Sequence, residues 1–360
     1  MGDAKARIIL SKSGESTKTY YIDEGDDRIM ALNHTEQEWS QVALAVLQDS
    51  DATIAGLDFN GYKALVYWGY GANYSLCAPL WCIAHKTDSR SGSIITALSL
   101  AGTFNLMNED RASTSFIPDH NDAKTVKDLL KELCAGQFSA WVANTTYAVG
   151  DFVRATTTNG KVFKCTAVAG DEKSGASEPT WDTEVGNTTV DDQVTWTCRG
   201  GEMTSYSHVK AYTATFDDTT GIIDTFAPKD SFRVYLNDSR LSKIKGLMRH
   251  IGYKCRVEDD EEIHFFIPVT SGSTYDEEYN DAVTGHNFFE KGVRKRVIIP
   301  GYFVVSSHPD HLSPFAGFTG FAKDTGYDAL PTDLQKRIYK YFRVTSNAQC
   351  TSIAGNLLIH

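Results

Sequence analysis

The sequence predicts an α+β fold that is mainly β and carries a small inserted all-β module. Three observations predict it. Short β-branched and aromatic runs with turn residues between them recur along most of the chain. Helical periodicity appears only in isolated stretches between those runs, and not in the regular alternation of a parallel sheet. The third is a block between Phe138 and Gly201 that is patterned unlike its flanks. It holds three of the six Trp, at Trp141, Trp181 and Trp196, among Thr, Gly and Val. These observations divide the chain into residues 1–136, an inserted module at 137–203, and a continuation at 204–360.

Residues 5–11 (KARIILS) and 18–23 (KTYYID) read as strands around a Gly-containing turn. SQVALAVLQDSD has helix-favouring Ala, Leu and Gln. Its turn-rich flanks and the β-like KALVYWGY after it favour a strand. LWCIAHKTDSRSGSIITALSLAGTFNLMN reads as a hairpin turning at DSRSG. A helix is expected over 121–134, because Val126, Leu129, Leu130 and Leu133 fall on one stripe. Asn121 or Asp122 is its expected cap.

Beyond the module, HVKAYTATFDD returns to strand alternation. A second helix is expected over 238–251, with Leu241, Ile244, Leu247, Met248 and Ile251 inward and Lys243, Lys245 and Arg249 outward. GYKCRVE and IHFFIPVT form a hairpin around the acidic turn DDEE. VRKRVIIPGYFVVSS reads as a β pair bent at Pro300-Gly301, residues 312–333 as a surface loop, and KRIYKYFRVTS as a last strand. Ser346 caps a terminal helix with Ile353, Ala354, Leu357 and Leu358 on its buried side. That helix barely closes before His360, as in a chain cut from a longer protein.

Composition narrows the function. Apolar content of 41% and charged content of 22% are those of an ordinary globular protein. No apolar run is long enough for a membrane span, and the N-terminus lacks the pattern of a secretory signal. A net charge of −11 argues against nucleic acid as a partner. Seven scattered Cys give no disulfide framework and no CxxC pair. Cys165 and Cys198 lie in the module and either pair across strands or pack as small apolar side chains.

The sequence carries few chemical motifs. His308 and His311, with Asp310 between them, form the nearest approach to a metal motif, a weak one because a Pro interrupts it and no third ligand is evident. The acidic run Asp259–Glu262 lacks the spacing and Gly of a calcium loop and suits a hairpin tip. The basic run Val293–Val297 suits a solvated strand edge. There is no GxSxG, no phosphate-cradling Gly loop and no marked carboxylate pair. No catalytic residue and no cofactor is therefore expected, and the chain is expected not to be an enzyme. The aromatics of the module offer the better site. A flat ring can stack on the C–H face of a pyranose, which makes Trp141, Tyr147, Trp181 and Trp196 the candidate glycan-binding residues. The same rings must also build the module's core, since so small a unit has little else to bury. At least two of the three Trp are expected inside.

Within the module, Ala140-Trp141, Tyr147-Ala-Val-Gly-Asp151-Phe-Val and Gly160-Lys-Val-Phe163-Lys resemble the start of chitin- and cellulose-binding modules of families 5 and 12. Those modules continue with adjacent aromatics, where this chain has Cys165, Thr166 and Ala167. The ending SEPTWDTEVGNTTVDDQVTWTC is similar to a variant embedded in bacteriophage tail and fibre proteins. The surrounding chain resembles minor tail proteins of long-tailed bacteriophages in NHTEQEWSQVALAVLQDSDATIAGLDFNGYKALVYWGYG, DTFAPKDSFRVYLNDSRLSKIKGLM and HNFFEKGVRKRVIIPGYFVVSSHPD, a likeness that runs over most of residues 5–359. It implies a structural part of the tail tip or baseplate, hub-like, with barrel-like antiparallel sheets arranged in a ring. It implies other tail proteins as partners, a homo-oligomeric ring, synthesis in the host cytoplasm and a place in the virion tail. The module implies contact with host cell-surface polysaccharide. A carbohydrate-binding adhesin is the alternative reading, and a cell-wall-degrading enzyme a further one.

Overall fold

Alternation of period two decides the N-terminal third. In the computed structural model, which describes residues 4–22, 25–70, 73–90, 92–218, 221–268, 301–307, 317–331 and 334–359, this third forms one antiparallel sheet. Its strands are β1 (Ala4–Ser11), β2 (Lys18–Tyr21), β3 (Ile29–Gln37), β4 (Ser40–Gln48), β5 (Lys63–Tyr70), β6 (Asn73–Leu76), β7 (Leu80–Arg90) and β8 (Ser93–Gly102). The order is β2-β1-β5-β7-β8-β4-β3, with β6 paired to β5. Ala6, Ile8 and Leu10 of β1, Ala43, Ala45 and Leu47 of β4, and Leu98 and Leu100 of β8 point to one core with Phe59 and Tyr62. The ambiguous SQVALAVLQ is thus a strand. Every second residue goes inward, while Val42 and Leu44 remain exposed on the other face.

The expected barrel does not form. The sheet path ends at β2 and β3 with no ladder between them among the described residues, and only a single bridge, Tyr21 to Asp27, reaches across. β2 is four residues long, too short to close a tilted barrel.

The hairpin of β7 and β8 runs on into a short helix that the pattern hid, α1 (Thr103–Glu109), which buries Phe104 and Met107. Gly102 starts it because β4 crosses close by. A Cβ at Gly102 would lie 2.7 Å from the Gln41 side chain. α2 (Val126–Ala135) carries the predicted stripe of Val126, Leu129, Leu130 and Leu133. It starts later than expected, because Thr125 and Asp128 form a capping box. Asp122 is not the cap. Its carboxylate accepts the N–H groups of Lys124 at 3.0 Å and Gly201 at 3.0 Å.

The C-terminal part shares a second core with α1 and α2. α3 (Arg240–Met248) is capped by Ser239, and all five predicted inward residues are buried. β13 (Ala214–Phe216), β14 (Lys254–Val257) and β15 (Ile263–Phe266) make a sheet of order β13-β15-β14. The expected strand at HVKAYTATFDD shrinks to three residues, since Tyr206 and Tyr212 are drawn into the core and Tyr212 donates its N–H to Cys134 O. β16 (Tyr302–Ser307), β17 (Thr319–Lys323) and β18 (Arg337–Phe342) make the other small sheet. Each of these two sheets contains one parallel pair, β13 with β15 and β16 with β18, so the antiparallel expectation holds only for the large sheet and the module. β17 lies inside the stretch expected to be loop. α4 (Asn347–Ile359) follows Ser346, whose hydroxyl accepts from Gln349 N, and buries Ile353 and Ala354. The basic run Val293–Val297 lies outside the described residues.

Candidate functional site

The aromatic block folds as a sheet of its own. β9 (Phe152–Arg154), β10 (Lys161–Val168), β11 (Thr188–Asp191) and β12 (Val194–Gly201) pair in the order β11-β12-β10-β9, and no strand from outside the block joins them among the described residues. The structure brings all four candidate rings together. Trp196 is fully buried and Trp141 is 6% exposed. Tyr147 meets Trp196 edge-on at 4.9 Å, and Trp181 stacks on Phe163 at 4.1 Å. Tyr147 and Trp181 are half-buried, so they alone among the four keep part of a ring at the surface.

Each polar tip is satisfied, which burial requires. The Asp191 carboxylate accepts the indole N–H of Trp141 at 2.7 Å and of Trp196 at 3.0 Å. Its other oxygen accepts Gly175 N–H at 2.8 Å. Trp181 donates to Glu178 Oε1 at 2.7 Å, and the Tyr147 hydroxyl accepts Val142 N–H at 3.0 Å. Burial works against the charge on Glu178, but hydrogen bonds from Thr156 and Trp181 outweigh it and hold the carboxyl below its ordinary value. Sequence reasoning missed Asp191 because VDDQ reads only as a turn. Two acids next to a Trp-containing strand are the sole signal.

Cys165 and Cys198 are free thiols. The register of β10 on β12 sets Cys165 opposite Trp196 and Phe163 opposite Cys198, so the two cysteines are not cross-strand partners. Burial pushes the Cys165 thiol up to about 11.

The module is seated on α2 by buried polar contacts. Lys124 and Glu132, both fully buried, pair at 2.8 Å, and Lys124 also donates to Gly201 O. Glu132 accepts Met203 N–H at 2.8 Å, and burial raises its carboxyl above the ordinary range. Asp128 receives Lys164 from β10 at 2.9 Å and Arg199 from β12 at 3.4 Å. Phe138 stacks on Phe152 at 4.5 Å. One helix thus holds the module through the buried Asp128 carboxylate, which draws in partly exposed cations from two of its strands, while the buried Lys124–Glu132 pair of the frame binds its last residues through Gly201 O and Met203 N.

Outside the module, the acidic run is the hairpin tip between β14 and β15. His264 of β15 contacts Asp217 through Nδ1 at 2.9 Å and Asp260 through Nε2 at 3.0 Å. Two carboxylates on one ring favour imidazolium. Partial burial opposes that charge, but both hydrogen bonds overcome it and raise the pKa of His264. The stabilisation is complete below the unfolded-state pKa and is lost as pH rises through the raised folded-state value. His264→Ala should therefore lower stability by about 1 kcal/mol at pH 5.5, with the gap narrowing as pH rises, as urea melts would show. A gap independent of pH would contradict the charged clamp. The ring nitrogens are already engaged, although Asp217, Glu258 and His264 are close enough to share an ion. His308 and His311 lie outside the described residues.

No family model and no curated protein matches the chain. Among solved structures it is similar to a tail protein from Neisseria meningitidis MC58, at 10% identity, over 97% of this chain and 70% of that one, with a TM-score of 0.41. It is also similar to the 43 kDa tail protein of prophage MuSo2 from Shewanella oneidensis, at 10% identity, 97% and 77% coverage and a TM-score of 0.44. Prophage tail protein gp18 from Listeria monocytogenes EGD-e gives 9% identity, 95% and 75% coverage and a TM-score of 0.47. At this identity no residue of the present chain inherits a role from them.

Proposed function

We propose that the chain is a structural component of a bacteriophage tail, of tail-tip or baseplate hub type, and that it works through shape and repeated contacts without catalysing a reaction. The resemblance of its long sequence stretches to minor tail proteins supports this reading. The observation that carries it is the outer face of the β17-β16-β18 sheet. Tyr302 stacks on Phe321 there at 5.5 Å, and Val304 sits in register with both Phe321 and Tyr339. Phe321, Tyr339 and Tyr341 are each more than half exposed. The large sheet adds exposed Met30, Val42, Leu44, Trp68 and Ile83. Large apolar side chains left outside on two sheets suit a subunit that is covered by neighbours. In a ring those neighbours would be further copies in heterologous, closing contact. Other tail proteins would cap the ring.

The module adds a second reading, contact with host surface glycan, to which the partly exposed rings of Trp181 and Tyr147 are suited. Immunogold electron microscopy of intact particles tests the first reading: label should lie on the tail, and particles without label would overturn it. Glycan-array binding by the full chain tests the second, with loss expected for Trp181→Ala. Binding unchanged by that substitution would exclude the ring surface as its site.

A further inference from the structure

Between α3, β18 and α4 lies a cleft of about 580 Å³. It is separate from the aromatic module and borders the exposed face of the small sheet at Tyr341. Its floor is apolar, with Phe232, Leu247, Phe303, Phe342 and Leu357. Its walls hold Arg233, Lys243, Arg249 and Lys340, and among the described residues no Asp, Glu, Asn or Gln lines it. In a chain of net charge −11 that is a local reversal of sign.

These cations differ in how far they are already neutralised. Lys243 pairs with Asp238 at 2.5 Å. Arg343, close behind the cleft, is held by both oxygens of Asp230 at 2.6 and 2.8 Å. Arg233 gives its Nε–H to the backbone carbonyl of Asp230 at 2.9 Å, and its terminal nitrogens have no partner among the described residues. Arg249 and Lys340 have no carboxylate partner among the described residues. His250 lines the same cleft, edge-on to Phe342 at 4.5 Å, with a buried Nδ1 that has no hydrogen-bond partner among the described residues. Burial, Lys340 and Arg249 together push its pKa down to about 4, so it adds no charge of its own near neutrality.

We infer that this cleft binds an acidic peptide segment of a partner protein, with one apolar side chain on the Phe303–Phe342 floor and flanking carboxylates on Arg249, Lys340 and Arg233. The chemistry selects a peptide over other anions. A phosphate group would leave the apolar floor unused. A sugar would need carboxylate and amide side chains to meet its hydroxyls, and the described lining residues supply none. An extended segment with alternating acidic and apolar residues uses both features. The inference goes beyond the tail reading and does not rest on it, since the charge and shape of the cleft hold for any partner.

Fluorescence anisotropy of the full chain tests it with a labelled peptide Glu-Glu-Leu-Phe-Glu-Glu and its counterpart with Gln at every Glu. The acidic peptide should bind about tenfold more tightly or better, a difference of about 1.4 kcal/mol. The paired substitution Arg249→Glu with Lys340→Glu should abolish that preference. Because both side chains are solvent-facing, circular dichroism should show the fold unchanged, and Arg249→Ala with Lys340→Gln serves as the milder pair. Equal binding of the two peptides, no binding of either, or a preference that survives the substitutions would overturn the inference. So would displacement of the peptide by inorganic phosphate or oligogalacturonate at lower concentration than by unlabelled peptide.

Discussion

Replacing Arg240 with Met should destabilise the whole frame by about 3–5 kcal/mol, the cost of leaving buried partners of a charge unpaired. Arg240 is fully buried at the first turn of α3. Its Nε–H donates to Leu133 O at 2.6 Å and an Nη2–H to Cys134 O, so it satisfies carbonyls in the last turn of α2. Nη1 reaches Lys210 O at 2.8 Å and the Asp110 carboxylate at 3.0 Å. One guanidinium therefore ties together the segment after α1, the end of α2, the chain returning from the module, and α3. Met keeps much of the volume and loses every donor. Against a total of about 5–15 kcal/mol for a typical domain, such a loss leaves little folded protein at moderate urea. Arg240→Lys keeps the charge, but a single ammonium cannot span four acceptors in a planar fork, so it should recover only part of the loss. A midpoint for Arg240→Met close to that of the parent would contradict this role.

Trp196→Ala should cost about 3–5 kcal/mol as well, but the damage should stay in the module. Trp196 is fully buried, meets Tyr147 and Trp181 edge-on, and gives its indole N–H to Asp191. Removing it opens a cavity at the centre of a small core, against which Tyr147 and Trp181 pack. Hydrogen exchange read segment by segment should show residues 137–203 losing protection while the strands β1, β4 and β8 keep theirs. Trp196→Phe, which keeps one aromatic ring in the core but loses the indole N–H and the volume of the second ring, should cost less. Loss of protection spreading equally through the large sheet would mean that the module is not a separate cooperative unit.

Local pattern and tertiary context divide what the sequence could reveal. Six of the eight strands of the large sheet were legible, β4 because alternation aimed Ala43, Ala45 and Leu47 at one core, which no helical spacing of those residues could do; β3 and β6, mostly exposed, gave no such pattern. The five inward positions of α3 were legible for the same kind of reason. α1 was not, since a helix of two turns offers only Phe104 and Met107 as a period. The start of α2 was misplaced because Asn121, Asp122 and Thr125 are all competent caps. Asp122 is removed from that role by Gly201, distant in sequence, whose N–H it accepts. The parallel pairs were hidden because strand direction within a small sheet depends on the connections, not on composition. At the site, the rings and the expectation that at least two of the three Trp are inside were legible from size alone. The shared acceptor Asp191 was not, because a carboxylate in a turn reads as solvated until two indoles are folded onto it.

The central claim is that this β-rich chain acts as a shaped subunit of a phage tail, with its aromatic module held by α2 as a unit apart. An electron cryomicroscopy map of the intact particle tests it most directly. Symmetric copies of the chain should surround the tail axis, with the faces bearing Phe321, Tyr339 and Tyr341 covered by neighbours and the four-stranded module intact on α2. A particle map in which the chain has no density, together with a purified protein that stays monomeric beside tail proteins, would contradict it.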